Sequence, residues 1–170
     1  MKELADMVDT FGTKGGTTSE EWQLIDAAIK EYDVKNVLEF GSGWSTKKFD
    51  ETVLRTVSLE TDRNWAAIVR KNVPSAEIVV WDNKNMPDDI HGRFDMVFVD
   101  GKWPRMNQIK HGVLFAPRMF VHDANGTVLN WFFDDKLKLI HGGMSGWQKF
   151  GWQNVPRFTK GRLAFFERTS

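Results

Sequence analysis

The chain alternates between two rhythms. Short runs that are apolar on both faces recur at Asn36 to Phe40, Thr56 to Glu60, Glu77 to Trp81, Phe94 to Val99 and Met119 to His122, each ending in polar or glycine residues. Strands buried on both sides of a parallel sheet read this way. Between them lie segments with apolar residues three and four apart: Thr46 to Glu51, Asp62 to Asn72 with Trp65, Ile68 and Val69 on one side, and Pro104 to Phe115 with proline in the first turn. Ahead of the first strand, Thr18-Ser19-Glu20-Glu21 has the form of a capping box, and Trp22, Ile25, Ala28 and Ile29 share one face of a helix that should end near Tyr32. Strand and helix in this repeating order predict an α/β fold: a doubly wound, mostly parallel sheet with helices on both faces. After Thr127 the pattern changes, with Val128 to Lys138 compatible with a helix. Trp147 to Gln153 and Arg162 to Glu167 then form two closing strands, a C-terminal antiparallel hairpin.

Composition narrows the class. At 170 residues, 41% hydrophobic and 27% charged, the chain suits a single domain with a real core. We divide it into an N-terminal helical segment (1–33), a binding core (34–125) and a C-terminal helix and hairpin (126–170). No apolar run reaches the roughly 18 residues that span a bilayer, and the N-terminus opens with acidic residues, so a cytoplasmic protein without membrane attachment is expected. The absence of cysteine excludes disulfides, thiolate metal sites and a cysteine nucleophile. The net charge of zero is unevenly spread: residues 1–100 hold 12 Lys/Arg against 19 Asp/Glu, whereas residues 136–170 hold 7 against 1. Trp147, Phe150, Trp152 and Phe158 interleave with that basic tail, which suits either a half-buried hairpin or a nucleic-acid-binding surface.

In open α/β sheets the ligand sits beyond the carboxyl ends of the strands, where strand order reverses. The first strand ends in Glu39-Phe40-Gly41-Ser42-Gly43-Trp44-Ser45-Thr46, and Gly41 and Gly43 lack the β-carbons that keep a ligand from the backbone. The second ends in Glu60, 19 positions after Gly41, near the spacing at which an acidic side chain meets a ribose. A dinucleotide fingerprint would place a third glycine where Thr46 stands. Its absence points from NAD toward a ligand with a ribose and no phosphate.

These residues resemble the class I S-adenosylmethionine-dependent methyltransferases, in particular the small-molecule O-methyltransferase-like branch, over about residues 34–125. The resemblance implies a Rossmann-like sheet and S-adenosylmethionine as cofactor. It implies that Glu39 supports the methionine amino group through the turn, that Gly41, Ser42 and Gly43 pass under the cofactor, and that Ser45 and Thr46 line its methionine end. Glu60 would hold the ribose, Asp82 and Asn83 would lie beside the adenine, and Trp81 or Thr61 would pack against the ring. Phe94-Asp95-Met96-Val97-Phe98-Val99-Asp100-Gly101 looks like the fourth-strand motif of the family, with Asp100 facing donor and acceptor. Lys102-Trp103-Pro104-Arg105 stands where amino-methylating DNA enzymes carry Asp/Asn-Pro-Pro-Tyr/Phe, which disfavours base N-methylation. Relatives that bind Mg2+ do so with carboxylates after the fourth and fifth strands; Asp100 and Asp123 occupy those places, but the adjoining residue is Ala124 and Asn125 comes one position late.

Methyl transfer is an in-line displacement that asks mainly for alignment and removal of the acceptor's proton. His122, beside Asp123, has the ordinary pKa for a general base, and Asp100 is the second candidate. The expected acceptor is a small-molecule or sugar hydroxyl in a cleft that is open or completed by a second copy of the chain. A Rossmann-type NAD enzyme and a non-catalytic nucleic-acid-binding module are the alternatives.

Overall fold

The computed structural model describes residues 17–88, 90, 92–102, 105–124 and 151–169. Thr18 starts helix α1 (Ser19–Glu31) by the reciprocal bonds its sequence predicts: its hydroxyl accepts the Glu21 N–H at 3.2 Å, and the Glu21 carboxylate accepts the Thr18 N–H at 2.8 Å. There follow β1 (Asn36–Phe40), α2 (Trp44–Thr52), β2 (Arg55–Glu60), α3 (Arg63–Asn72), β3 (Glu77–Val80), β4 (Met96–Val99), α4 (Arg105–Phe115) and β5 (Arg118–Val121). After the undescribed stretch 125–150 come β6 (Trp152–Asn154), a short 3-10 turn at Pro156–Phe158, and β7 (Ala164–Arg168).

These strands form one sheet in the order β3-β2-β1-β4-β5-β7-β6. β1 to β5 run parallel, and β7 is inserted antiparallel between β5 and β6. The order turns back between β1 and β4, so the crevice expected of a doubly wound sheet opens at their carboxyl ends. Alternation along each strand supplies two cores. Val37, Met96, Phe98, Phe120 and Phe165 face Ile25 and Ala28 of α1 and Phe49 of α2. Leu38, Phe40, Val57, Leu59, Val97, Val99 and Val121 belong to the opposite core with Ile109 of α4. Ala66 and Val69 of α3 close over the outer strands with Ile78. Truncating a fully buried ring such as Phe49 or Phe98 costs about 3–5 kcal/mol.

The predicted strands are present with shifted ends. Phe94 is buried, yet its N–H bonds the Phe115 carbonyl at the foot of α4 rather than a neighbouring strand, so β4 begins two residues later. β5 ends at Val121, although the His122 N–H extends the ladder to the Val99 carbonyl at 2.9 Å. The closing hairpin is antiparallel as expected, with Trp152 and Phe158 buried rather than displayed. The predicted helix over Val128–Lys138, and Trp147 and Phe150, lie outside the described residues. No helix among the described residues is long and apolar enough to cross a membrane.

Candidate active site

The turn after β1 is built around a buried carboxylate. Glu39 pairs in register with Ser58 of β2, so both side chains leave the sheet on the same face, where α2 begins. The hydroxyls of Ser45, Thr46 and Ser58 all donate to Glu39, Thr46 at 2.6 Å. Thr46 in turn accepts the Gly43 N–H at 2.8 Å, which fastens the turn to the helix. Burial pushes the Glu39 carboxyl up to about 7, with the three hydroxyls pulling the other way. Glu39 and Thr46 are fully buried, so they shape the turn from beneath. Thr46, expected to line the methionine end, is not on the cavity wall; Ser45 is.

The two glycines of the turn have different reasons. Gly41 sits at φ +92°, and a β-carbon there would lie 2.8 Å from the Gly101 backbone, so no other residue fits without moving the end of β4. Gly43 is buried off the cavity wall, and a β-carbon on it would make ordinary contact with Trp65 at 3.8 Å.

Beside Gly41 lies an open cavity of about 360 Å3 between the ends of β1, β2 and β4. Gly41, Ser42 and Ser45 line one side, Leu59, Glu60, Thr61, Asp62 and Trp65 a second, and Asp100, Gly101, Lys102 and Gln108 a third. Glu60 is fixed by uncharged donors: one oxygen accepts the Ser42 N–H and hydroxyl, each at 3.0 Å, and the other accepts the Asp62 N–H at 2.9 Å. The Trp65 indole N–H donates to the Ser42 carbonyl at 2.6 Å and locks the ring as cavity wall. The predicted ribose acid thus stands on the cavity with Thr61. Asp82 is exposed and bonded to the Lys84 N–H, Asn83 is buried with φ +61°, Trp81 belongs to the core, and none of these lines this cavity.

The ends of β4 and β5 carry a different arrangement. Asp100 accepts from His122 Nδ1 at 2.9 Å and from the Arg105 guanidinium at 3.2 Å, both through Oδ1. The same guanidinium nitrogen donates to Asp123 at 3.0 Å, and a second one donates to the His122 carbonyl. Arg162 donates to the other Asp123 oxygen at 2.7 Å. Asp123 reaches both arginines from a left-handed backbone, φ +51°. His122 is fully buried, with Nε2 3.4 Å from the capping glutamate Glu21. Burial draws the imidazole down, but the hydrogen bond and charge of Asp100, joined by Asp123 and Glu21, outweigh it and hold the pKa above the usual histidine value. Burial likewise raises Glu21, yet its Thr18 bonds and the His122 charge bring its carboxyl below the ordinary range.

This placement sets His122, read from the sequence as a general base, behind the cavity wall. Among the described residues the imidazole is buried, faces a carboxylate at each nitrogen and does not line the cavity, which favours its protonated form over a free base. The residues of the expected metal pair, Asp100 and Asp123, converge with His122, and Arg105 bridges the two carboxylates. Reading the sequence missed Arg105, Arg162, Gln108, Trp65 and the second task of Glu21. One signal was available, since an arginine in the first turn of a helix opposes the helix dipole and calls for an anionic partner.

No family model and no curated protein matches the sequence. Solved structures do match its fold. An O-methyltransferase from Bacillus cereus in complex with SAH superposes with a TM-score of 0.65 at 12% identity, over 97% of this chain and 90% of that one. The O-methyltransferase TomG from Streptomyces achromogenes, in complex with SAM, gives 0.65 at 16%, over 98% and 88%. The N-methyltransferase NodS from Bradyrhizobium japonicum gives 0.59 at 14%, over 89% and 95%. The chain therefore has the Rossmann-like fold of the S-adenosylmethionine-dependent methyltransferases. Its likeness extends to proteins named for oxygen and for nitrogen acceptors alike, so the fold leaves the acceptor atom open.

Proposed function

We propose that the chain is an S-adenosylmethionine-dependent methyltransferase acting on a hydroxyl of a small molecule or sugar. The observation that carries this is the pair of carboxylates, Glu60 and Asp100, facing one cavity across the Gly41 turn. Glu60 would accept the ribose hydroxyls, oriented in advance by Ser42 and Asp62. Asp100 binds the described residues through Oδ1 and leaves its second oxygen for the methionine ammonium. Ser45 would border that end, Thr61 and Trp65 the nucleoside, with Asp82 and Asn83 beyond the described wall. Glu39 would act through the turn. A sulfonium ligand suits this setting, because the carboxylates Glu60 and Asp100 both face the cavity, where a pyrophosphate would be repelled.

Within this reading the chain's part in catalysis is alignment and charge. With His122 buried and Asp100 held through Oδ1 by Arg105 and His122, Asp100 would orient the donor. The acceptor enters from the side bordered by Lys102.

The test is a thermal-shift series with S-adenosylmethionine, its demethylated product and NAD, followed by transfer of labelled methyl to a panel of hydroxylated small molecules, sugars, oligonucleotides and peptides. Stabilisation by the first two alone and methylation of hydroxyls support the proposal. Stabilisation by NAD, or methyl transfer to polynucleotides only, overturns it.

A further inference from the structure

The two carboxylates that end β4 and β5 are the places where a bridging divalent cation would be sought. A magnesium ion needs oxygen ligands at about 2.1 Å in near-octahedral array. Here a single nitrogen of the Arg105 guanidinium lies 3.2 Å from Asp100 and 3.0 Å from Asp123, in the space between them. The neighbouring nitrogen is spent on the His122 carbonyl, so the guanidinium is gripped from three sides. Arg105 is 6% exposed and Arg162 approaches Asp123 from the outside. His122 Nδ1, the third candidate ligand, points at Asp100 and is used by that bond. A metal entering this group would have to expel a buried arginine and part the histidine from its aspartate.

We infer that Arg105 is the built-in counter-ion of the Asp100–Asp123 pair, and that this positioning residue makes the site independent of divalent cations. The inference rests on the methyltransferase reading for what the site does, while the charge arrangement stands on the geometry alone. Asp100 is shared between the two: Arg105 and His122 fix its Oδ1, which aims the rest of the carboxylate into the cavity. The planar fork that reaches two carboxylates and a carbonyl together is a property of arginine that lysine lacks. What a cation does by coordination, the guanidinium does by directed hydrogen bonds, and it cannot dissociate.

The experiment uses Mn2+ as probe on the full chain after dialysis against a chelator, with binding read by electron paramagnetic resonance. The wild type is expected to bind Mn2+ no tighter than about 1 mM and to keep its affinity for S-adenosylhomocysteine unchanged. Arg105→Ala, which uncovers the two carboxylates, is expected to gain Mn2+ affinity by roughly tenfold or more, and Arg105→Lys to gain less. In the same variants S-adenosylhomocysteine binding should weaken by roughly tenfold, with partial recovery in Arg105→Ala on adding Mn2+. Wild-type Mn2+ binding below about 100 µM, or a chelator-induced loss of S-adenosylhomocysteine affinity, overturns the inference. If Arg105→Ala does not fold, the wild-type measurement and Arg105→Lys decide. Should S-adenosylhomocysteine not bind at all, the methyltransferase reading fails, and the Mn2+ arm still reports on Arg105.

Discussion

The two sides of the cavity satisfy their carboxylates in opposite ways. On the β1–β2 side, Glu39 meets three hydroxyls and Glu60 meets backbone amides and a serine, with no cation in the bonding pattern. On the β4–β5 side, Asp100 and Asp123 meet Arg105, Arg162 and His122. Neutral donors orient a carboxylate and leave its charge for a ligand; cations orient it and cancel the charge. Glu60, met by neutral donors, keeps both oxygens oriented toward a hydroxylated ligand, whereas the second arrangement braces Asp100 through Oδ1 and turns only its other oxygen to the cavity.

The largest effect should come where the sides touch. Gly41→Ala drives a β-carbon into the Gly101 backbone at a left-handed φ, and is expected to cost about 3 kcal/mol in urea unfolding. Glu60→Ala should separate recognition from stability: calorimetry is expected to show S-adenosylhomocysteine affinity falling roughly 100-fold. An unchanged affinity would show that Glu60 does not hold the ligand.

Acidity sharpens the contrast. The folded His122 pKa lies above its unfolded value of 6.5, so its contribution is fully present below pH 6.5 and lost as pH rises through the folded pKa. Glu39 titrates near 7 when folded and from 4.5 when unfolded, so its ionisation erodes stability between those values. Urea midpoints from pH 4.5 to 9 should therefore decline, Glu39→Gln flattening the lower part and His122→Gln the upper. The smallest effect is expected from Arg162→Gln. Arg162 is 38% and Asp123 30% exposed in their side chains, so solvent screening leaves about 0.5 kcal/mol or less, within reach of a thermal-melt comparison at low and high salt.

The sheet and the recognition side were largely legible in the sequence, because both depend on local pattern. Runs of apolar residues mark buried strands, and Gly41 and Glu60 stand at strand ends, with Ser45 in the helix turn that follows, which any doubly wound sheet brings together. The cationic side was not, because its contacts join residues far apart in the chain: Glu21 to His122, Asp100 to His122, and Asp123 to Arg162. A histidine beside an aspartate reads as a base until one sees that its parity along β5 follows Phe120, toward the core roofed by α1. The strand limits shifted where a buried side chain, as at Phe94, satisfies its backbone outside the ladder.

The contact of Gly41 with Gly101 leaves no side chain between the tips of two neighbouring strands. A molecule pressing on one tip is therefore felt at once by the other, backbone against backbone, without a soft layer to absorb the displacement. Within the proposed function, a ligand seated against Gly41 would therefore bear on the strand tip that carries Asp100, a single residue from Gly101.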